Sequence, residues 1–508
     1  MLNLKDLGQP SEFWEYFEEV SKIPRCSEQE EKIRTFIKKE AERFGFKSKI
    51  DSVGNLIILV PARSNQKFTV VLQCHLDMVC EKNESVSHDF SKDPLKLKIE
   101  EIENDKWLTA EGTTLGADNG VGICYILTLL KKIHKGELNF NSLGFNMLFT
   151  IDEEQGLKGA FKIDNEFMDG DFLINLDSEE DDAVTIGCAG GLVHFIEIKK
   201  EMIELNQQKT KYMPIRVFIS GLKGGHSGVD IHLGRGNALK IIGHLLWKLN
   251  RLYSIHICSI DGGNRPNAIP REAESVLYIE KNQSSEIISS IKTLFTKIKV
   301  IFDEIEPNLT ISLEELELYT NNKVLNKNIQ ENLLNIMYLL PNGPLLIHPR
   351  ISELVFSSSN LGSLRTRENE LEIIISQRSL SEYFKNVIWE KTRALLNLTG
   401  LEMNIVKDSD YPGWTPNFQS SLLKNCKETY KELFNEDIII KAIHAGLECG
   451  ILKKKFPEME MISIGPTNIG AHSPDERLLI KSVIKIWKLL INLLKKIRLN
   501  SKCNSIPL

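Results

Sequence analysis

The sequence lacks any long apolar segment, which argues against a membrane-spanning helix. Such a helix needs about 20 consecutive, mostly apolar residues. The longest candidate, LLIKSVIKIWKLLINLLKKI, carries lysines throughout and predicts an amphipathic helix packed on a core. The N-terminal segment also lacks the basic region and apolar stretch of a signal peptide. We therefore expect a cytoplasmic protein that has no membrane partner.

Paired cysteine motifs and an excess of basic residues are missing as well. The chain has nine cysteines and no CxxC spacing, which argues against a zinc ribbon or a disulfide framework. Free thiols in a reducing cytoplasm are the expectation. The 63 Lys and Arg are scattered against 69 Asp and Glu, for a net charge of −6. This balance argues against a nucleic-acid partner, which usually binds a basic face.

Apolar strands and helices alternate in the first third of the chain. Two helices are predicted between residues 12 and 45, the second opening with Ser27 and Glu30 in a capping-box pattern. The helix DNGVGICYILTLLKKI lies among short apolar strands, which are NLIILV, FTVVLQCHLD, FNMLFTID and DFLINLD. This alternation predicts an α/β sheet.

The element order changes after about Cys188. Residues 188–408 predict two α+β units of like order, and the turn-rich DYPGWTPN follows them. Residues 409–508 return to alternating helices and strands. We therefore predict an α/β domain formed by 1–187 and 409–508 and interrupted by an inserted α+β domain at 188–408.

The strand VVLQCHLD ends in two polar residues, His75 and Asp77. Side chains alternate along a strand, so both lie on one face at its carboxyl end, where open α/β sheets place their sites. A histidine and an acid at this spacing are also common as plain polar residues at the end of a strand. The pair alone therefore leaves the function open.

Further acids follow other strands and turns. Asp118 precedes a helix, where N-capping is the simpler interpretation. Glu153 and Glu154 follow one apolar strand, Asp177 follows the next, and His472 lies in a loop rich in Gly and Pro. Carboxylates that cluster without a cation are costly, and histidines with carboxylates suit zinc or a similar divalent metal. Which of the two adjacent glutamates would bind metal stays open at this point.

Ten segments in order resemble the di-zinc aminoacylase/carboxypeptidase-G-type metallopeptidases, and within them the Xaa-His dipeptidase group. The segments are HLDMV, GTTLGADNG, EEQGLKGAF, LDSEE, GCAGG, GLKGGHSG, NAIPREA, YPGW, HAGLECG and SIGP…HSPDE. The resemblance spans nearly the whole chain. It implies a mixed-sheet catalytic domain whose inserted α+β domain is a lid.

The resemblance also implies a ligand set for two divalent metal ions, most often Zn²⁺, with Mn²⁺ and Co²⁺ as alternatives. His75 and Asp177 would hold one ion, Glu154 and His472 the other, and Asp118 would bridge them. A cis peptide bond is expected after the bridging aspartate.

Roles for further residues follow from the same resemblance. Glu153 would be the general base, and Asp77 would orient His75. His226, in KGGHSG, would stabilise the oxyanion.

The predicted lid and the following loop would bind the substrate. Asn267 and Arg378 would bind its terminal carboxylate, and His444 would line the pocket.

The predicted activity is hydrolysis of small unblocked dipeptides, including Xaa-His types such as carnosine. The aspartate at position 177 favours a substrate with a free amine in this family. An N-acyl-amino-acid deacylase and a non-catalytic binding protein on the same fold are the alternatives. A homodimer is compatible with the resemblance, and so is a lid that mimics a dimer within one chain.

Overall fold

The computed structural model describes residues 4–63, 68–140, 142–205, 211–316, 322–351 and 353–500. It divides into two compact units. The first comprises 1–187, 416–442 and 447–508, and the second comprises 188–415 and 443–446. No helix in the described ranges is long and apolar enough to cross a membrane.

The helices follow in chain order. The α-helices are α1 (Ser11–Val20), α2 (Glu31–Arg43), α3 (Ala117–His134), α4 (Lys158–Lys162), α5 (Ala238–Leu252), α6 (Ser284–Phe302), α7 (Lys327–Leu339), α8 (Glu382–Leu398), α9 (Ser421–Phe434), α10 (Glu448–Lys455) and α11 (Ile480–Asn500). Short 3-10 helices lie at Leu4–Leu7, Ile231–Leu233 and Lys281–Gln283.

The strands are numbered in the same way. They are β1 (Lys47–Ile50), β2 (Leu56–Val60), β3 (Phe68–His75), β4 (Leu97–Ile102), β5 (Asp105–Ala110), β6 (Leu143–Thr150), β7 (Phe172–Asn175), β8 (Ala183–Cys188), β9 (Gly190–Lys199), β10 (Met202–Glu204), β11 (Tyr212–Ser220), β12 (Gly225–His226), β13 (His256–Gly263), β14 (Ala268–Ile269), β15 (Ala273–Glu280), β16 (Thr310–Glu315), β17 (Lys323–Leu325), β18 (Gly343–Ile347), β19 (Val355–Thr366), β20 (Glu370–Ser379), β21 (Met403–Tyr411), β22 (Ile439–Ile443), β23 (Glu460–Ser463), β24 (Asn468–Ile469) and β25 (Arg477–Leu479).

The first unit is built on an eight-stranded mixed sheet with the order β1-β2-β6-β3-β7-β23-β8-β22. The central strands β6, β3, β7 and β23 are parallel to their neighbours in this group, whereas β1, β2 and β8 pair antiparallel. The predicted α/β class with a mixed sheet is confirmed. Because parallel strands end at the same edge, the side chains that follow β3, β6 and β7 come together there.

The core of the first unit surrounds α3. All residues from Asn119 to Leu130 are buried. A helix that is apolar on every side is stable only inside a domain. Tyr125 packs on Phe13 of α1, with the ring centroids 4.8 Å apart. The helix start that carries Asp118 is therefore fixed by packing along the whole helix.

The second unit contains a sheet with an internal repeat. The strand order is β16-β11-β15-β13-β19-β20-β9-β21, and the first four and last four strands form two halves. Read inward from the outermost strand, β16-β11-β15-β13 in one half matches β21-β9-β20-β19 in the other. The halves meet through β13 and β19, where Gly262 pairs with Leu364 and Gly263 with Ser363. β9 belongs to the second half although it precedes the first half in the chain.

The expectation that all cysteines are free is wrong for one pair. Cys26 and Cys80 form a disulfide, with their Cα atoms 5.7 Å apart. Their segments run side by side, because the amide of Met78 donates to the carbonyl of Arg25 at 3.1 Å. Cysteine spacing gave no sign of this contact between distant segments. The other described cysteines form no disulfide and are buried, and Cys503 lies outside the described residues.

The predicted capping box of α2 is also wrong. The helix begins at Glu31 without a side-chain cap. Ser27 Oγ instead donates to Asp77 Oδ2 at 2.8 Å. Glu30 Oε1 accepts from the amides of Glu28 at 3.1 Å and Asp152 at 2.9 Å. Both side chains are used to hold neighbouring loops of the site, so neither caps the helix.

Candidate metal centre and active site

His75 and Asp77 lie at the carboxyl end of β3, as their position in the apolar strand predicts. The His75 ring is 1% exposed. Its Nδ1 lies 3.2 Å from the carbonyl of Asp77 and 3.3 Å from Asp77 Oδ1. Its Nε2 lies 2.8 Å from Asp118 Oδ1 and 3.4 Å from Asp177 Oδ1. One nitrogen is therefore held by Asp77, and the other faces a pair of carboxylates.

Asp118 lies between two groups of potential ligands. Its Oδ1 faces His75, and its Oδ2 lies 3.1 Å from His472 Nε2. The same His472 nitrogen lies 3.0 Å from Glu154 Oε2. In each group, His75–Asp118–Asp177 and Asp118–Glu154–His472, the ligand atoms lie within 4.8 Å of one another. Asp118 is common to both groups.

The donor set fits two metal ions. Glu154 Oε1 is buried and has no hydrogen-bond partner within the described residues, so its lone pairs fit coordination to a cation. Hydrogen bonds to Asp118 and Glu154 raise the pKa of His472 to about 11. Burial, together with the charge of Asp118, raises the pKa of Asp177 to about 6. These clustered carboxylates need positive charge, which histidine protons or divalent metals can supply.

Glu153 lies beside these ligands and within 4.8 Å of one ligand atom each of His75 and Glu154. Burial raises its pKa well above the usual value, and the negative charges of Asp177, Glu448 and Glu154 act in the same direction. A carboxyl group with a raised pKa suits the exchange of protons near neutral pH.

Asp77 holds both the histidine and the acidic loop. Its carboxylate accepts from the amides of Glu153 at 3.1 Å and Glu154 at 3.2 Å, in addition to Ser27. Burial opposes its ionisation, but the hydrogen bonds from His75, Ser27 and the Glu153 amide lower its pKa to about 2. It therefore stays ionised and fixes the relative positions of β3 and the Glu153–Glu154 turn.

The start of α3 has an unusual backbone. Gly116 has φ +66°, and the Asp118–Asn119 peptide bond is cis, as the family resemblance predicts. Asn119 Nδ2 donates to Asp177 Oδ1, and Asn119 Oδ1 accepts from the amide of Gly122 at 3.0 Å. Asn119 therefore links the start of α3, which carries Asp118, to the loop that carries Asp177.

A row of polar side chains crosses the four parallel strands. Gln73 donates to Thr150 Oγ1 at 3.2 Å and accepts from Asn175 Nδ2 at 2.6 Å, and Ser463 donates to Asn175. Glu448 Oε2 accepts from Gln73 at 2.6 Å and Thr150 at 2.7 Å. Sequence reasoning missed this row, because its hydrogen bonds join residues from distant segments of the chain. Thr150, Asn175 and Ser463 each end their strand, and that position was the available signal, whereas Gln73 lies two residues before the end of β3.

The predicted oxyanion donor His226 and the predicted substrate-binding residues lie in the second unit, and three of these four residues surround Gly228. A Cβ atom built on Gly228 would lie 3.0 Å from His226 Cε1, 3.1 Å from Arg378 Cζ and 2.5 Å from the carbonyl oxygen of His444. Asn267 lies in an exposed turn, where its carbonyl accepts from the amide of Ser227 at 2.8 Å.

The tautomer of His226 is set by the backbone. Its Nδ1 accepts from the amides of Gly228 at 3.2 Å and Val229 at 2.9 Å, so the ring proton lies on Nε2. Burial and the charge of Arg378 lower its pKa to about 4. His226 is therefore neutral at pH 7 and has an N–H to donate.

Arg378 and His444 are buried in the same cluster. Arg378 Nη1 donates to the Tyr411 hydroxyl at 2.6 Å, while its Nε has no partner among the described residues. His444 Nε2 lies 2.7 Å from Ser358 Oγ, and burial lowers its pKa to about 3. The structure thus brings together seven predicted residues in the first unit and three in the second.

Comparisons with known proteins place the chain in a family. Residues 219–306 match the family model of the peptidase dimerisation domain of M20 proteins. The cytosol non-specific dipeptidase of Escherichia coli (strain K12) is 36% identical over 97% of this chain and 99% of its own. The aminoacylhistidine dipeptidase structure from Vibrio alginolyticus matches with a TM-score of 0.85 and 32% identity, covering 96% of each chain.

A more distant structure shares the fold. The M20 family metallo-carboxypeptidase Sso-CP2 from Sulfolobus solfataricus matches with a TM-score of 0.50 and 15% identity, over 96% of this chain and 99% of its own. The predicted metallopeptidase resemblance is confirmed by the two closer relatives. The chain belongs to the M20 family of metallopeptidases and is a peptide hydrolase.

Proposed function

We propose that this chain is a two-metal dipeptidase that hydrolyses small unblocked dipeptides, including Xaa-His types such as carnosine. The observation that carries the proposal is the shared position of Asp118 between two ligand groups, with Glu153 beside them. The relatives named as a non-specific dipeptidase and an aminoacylhistidine dipeptidase support the substrate class.

The residues of the first unit would divide the chemistry among them. When bound, two divalent ions would polarise the scissile carbonyl and lower the pKa of water. Glu153 would accept the proton of the attacking water and return it to the leaving amine. Asp77 would keep His75 in the orientation that presents Nε2 to the metal, as carboxylates behind metal-bound histidines commonly do.

The residues of the second unit would act on the substrate. We assign His226 as the donor to the developing oxyanion, because its proton lies on Nε2 and its ring is neutral at pH 7. Arg378 would bind the terminal carboxylate, since its buried Nε still has hydrogen-bonding capacity. Asn267 and His444 would complete the substrate contacts.

Zinc is the proposed metal, because two histidines with carboxylates are its usual ligands. Mn²⁺ and Co²⁺ accept the same donors, so loading with each ion separately is the direct comparison. We propose a cytoplasmic location, in line with the named cytosol relative. The dimerisation-domain match makes a homodimer the assembly to test.

The test is a substrate panel on one metal-loaded preparation. β-Ala-His, Ala-His and N-acetyl-amino acids are assayed side by side by release of the free amino acid. We expect turnover of the unblocked dipeptides. Turnover of the acetyl compounds alone would replace the dipeptidase assignment with an N-acyl-amino-acid deacylase.

A further inference from the structure

Three ligand-bearing loops of the first unit must keep a fixed spacing. One follows His75 at the end of β3, one leads into α3 at Asp118, and one contains His472, so they come from distant parts of the chain. Two metals that share one carboxylate tolerate little change in the distances between their ligands. The contacts that set these distances therefore bear directly on metal binding.

A buried arginine joins the first two loops. Arg25 is 2% exposed. Its Nη1 donates to the carbonyls of Leu76 at 3.1 Å and Asp77 at 2.6 Å, directly after His75. Its Nη2 donates to the carbonyl of Gly116, two residues before Asp118. The planar guanidinium can reach both loops at once because its donors point in different directions.

A buried glutamate joins the second and third loops. Glu476 is 1% exposed and lies four residues after His472. Its Oε2 accepts from the amides of Leu115 and Gly116, each at 2.8 Å. Its Oε1 accepts from the amide of Asp118 at 3.1 Å. Gly116 is therefore held at its carbonyl by Arg25 and at its amide by Glu476.

The space around the guanidinium is closely filled. A Cβ atom on Gly116 would lie 2.7 Å from Arg25 Nη2, and one on Gly120 would lie 2.9 Å from the same atom. Gly116 also has φ +66°, which disfavours a side chain. Gly120 lies in α3, where only the end of Arg25 would have to move. The absence of side chains at Gly116 and Gly120 therefore leaves the space that the guanidinium of Arg25 occupies.

We propose that Arg25 and Glu476 are positioning residues that set the spacing of His75, Asp118 and His472 for metal binding. This role rests on the proposed two-metal function. Neither side chain is assigned a contact with metal or substrate. The effect rests on the hydrogen bonds of both side chains to backbone groups of the three loops.

The test measures metal affinity apart from activity. Metal-free wild type, Arg25→Lys, Glu476→Gln and Gly120→Ala are titrated with Co²⁺ against a competing chelator, with the visible absorption of bound Co²⁺ as the signal. We expect at least about tenfold weaker binding in each variant, the usual range for residues behind metal ligands. Gly120→Ala keeps both charges and raises helix propensity, so it carries the test if another variant fails to fold.

Two control variants distinguish an effect on the positions of the metal ligands from an effect on protein stability or on the charge of Arg25. Leu493→Ala, in the core at α11, should lower stability and leave Co²⁺ affinity unchanged. Arg25→Met should weaken binding about as much as Arg25→Lys. Wild-type affinity in Arg25→Lys, or in Gly120→Ala, would overturn the positioning role.

The wild type tests the proposed function separately. Binding of two Co²⁺ ions and cleavage of Ala-His by the wild type would support that function whatever the variants do. A wild type that binds no Co²⁺ would overturn both proposals.

Discussion

At the scale of single residues, Asp77 shows how one buried carboxylate can organise several neighbours. Its two oxygens accept hydrogen bonds from Ser27 and from the amides of Glu153 and Glu154, and one of them lies beside the His75 ring. The adjacent glutamates are thereby fixed with different surroundings. Glu154 faces His472, while Glu153 lies toward His75 and Glu448. Two identical side chains next to each other in sequence can therefore take different roles.

The first prediction concerns this difference. Glu153→Gln removes the proposed proton acceptor and keeps the size of the side chain. We expect kcat for Ala-His to fall between about a hundredfold and ten-thousandfold, with metal binding retained. Steady-state kinetics and metal analysis of the same preparation measure both. Glu154→Gln is the matched variant, which should lose metal. Unchanged kcat in Glu153→Gln would refute the proposed base.

A second prediction concerns His194 in the second unit. It is 3% exposed and stacks on Trp389, with the ring centroids 3.4 Å apart. Burial and the charge of Lys407 lower its pKa to about 4, from an ordinary value of 6.5. Between these pH values the unfolded chain binds a proton that the folded chain does not. The free energy of unfolding therefore falls as pH falls through this range, by at most about 3 kcal/mol.

His194→Phe should flatten this acid dependence, because phenylalanine cannot take up a proton in the unfolded chain. Urea midpoints measured from pH 7 to pH 4 provide the readout. His232→Phe, at an exposed histidine of the same unit, is the control. An equally steep decline in His194→Phe and wild type would argue against the prediction.

At the scale of helices and strands, apolar patterns were informative, whereas polar side chains depended on tertiary contacts. The apolar segments that form β3, β6 and β7 could be recognised as strands in the sequence, because buried parallel strands are continuously apolar. Ser27 and Glu30 had the local pattern of a helix cap, yet their side chains bind Asp77 and the Asp152 amide. Local sequence cannot reveal such partners, since they come from distant segments of the chain.

The disulfide is a connection of this kind, and the third prediction tests its contribution. Cys26 and Cys80 are separated by 54 residues. Closing a loop of this length should stabilise the fold by about 2–4 kcal/mol, mainly by restricting the unfolded chain. Replacing both cysteines with serine should lower the urea midpoint accordingly. Reduction of the wild type by a dithiol should reproduce the shift, and an unchanged midpoint after verified reduction would contradict it.

At the scale of the whole molecule, all proposed metal ligands lie in the first unit. The family resemblance pointed to these residues from sequence, because its motifs follow one another along the chain in a fixed order, and their role as ligands stays a prediction. The pairing of β13 with β19 could not be predicted from the sequence, since the residue pattern of a strand does not indicate which other strand it pairs with. Arg25 was missed for a similar reason, because its partners are backbone carbonyls that carry no side-chain signal.

The fourth prediction concerns removal of the metal. A chelator should speed amide hydrogen exchange in peptides that cover 115–122 and 470–477, because the clustered carboxylates then repel one another. Metal present at 100 times its Kd should stabilise the first unit by about 2.7 kcal/mol. Mass spectrometry of exchanged peptides resolves the effect by region. Peptides from β11 and β20 are the internal control, and equal acceleration there would contradict a local metal effect.

The joint between β13 and β19 has a consequence for dilute solutions. The family model named for dimerisation matches residues 219–306, which lie in one half of the repeated sheet. The other half is supplied by the same polypeptide, so the two halves are tethered and their pairing is intramolecular. Its equilibrium is governed by effective concentration within the chain and not by how many molecules are present. Dilution that would dissociate two separate subunits therefore leaves this joint intact.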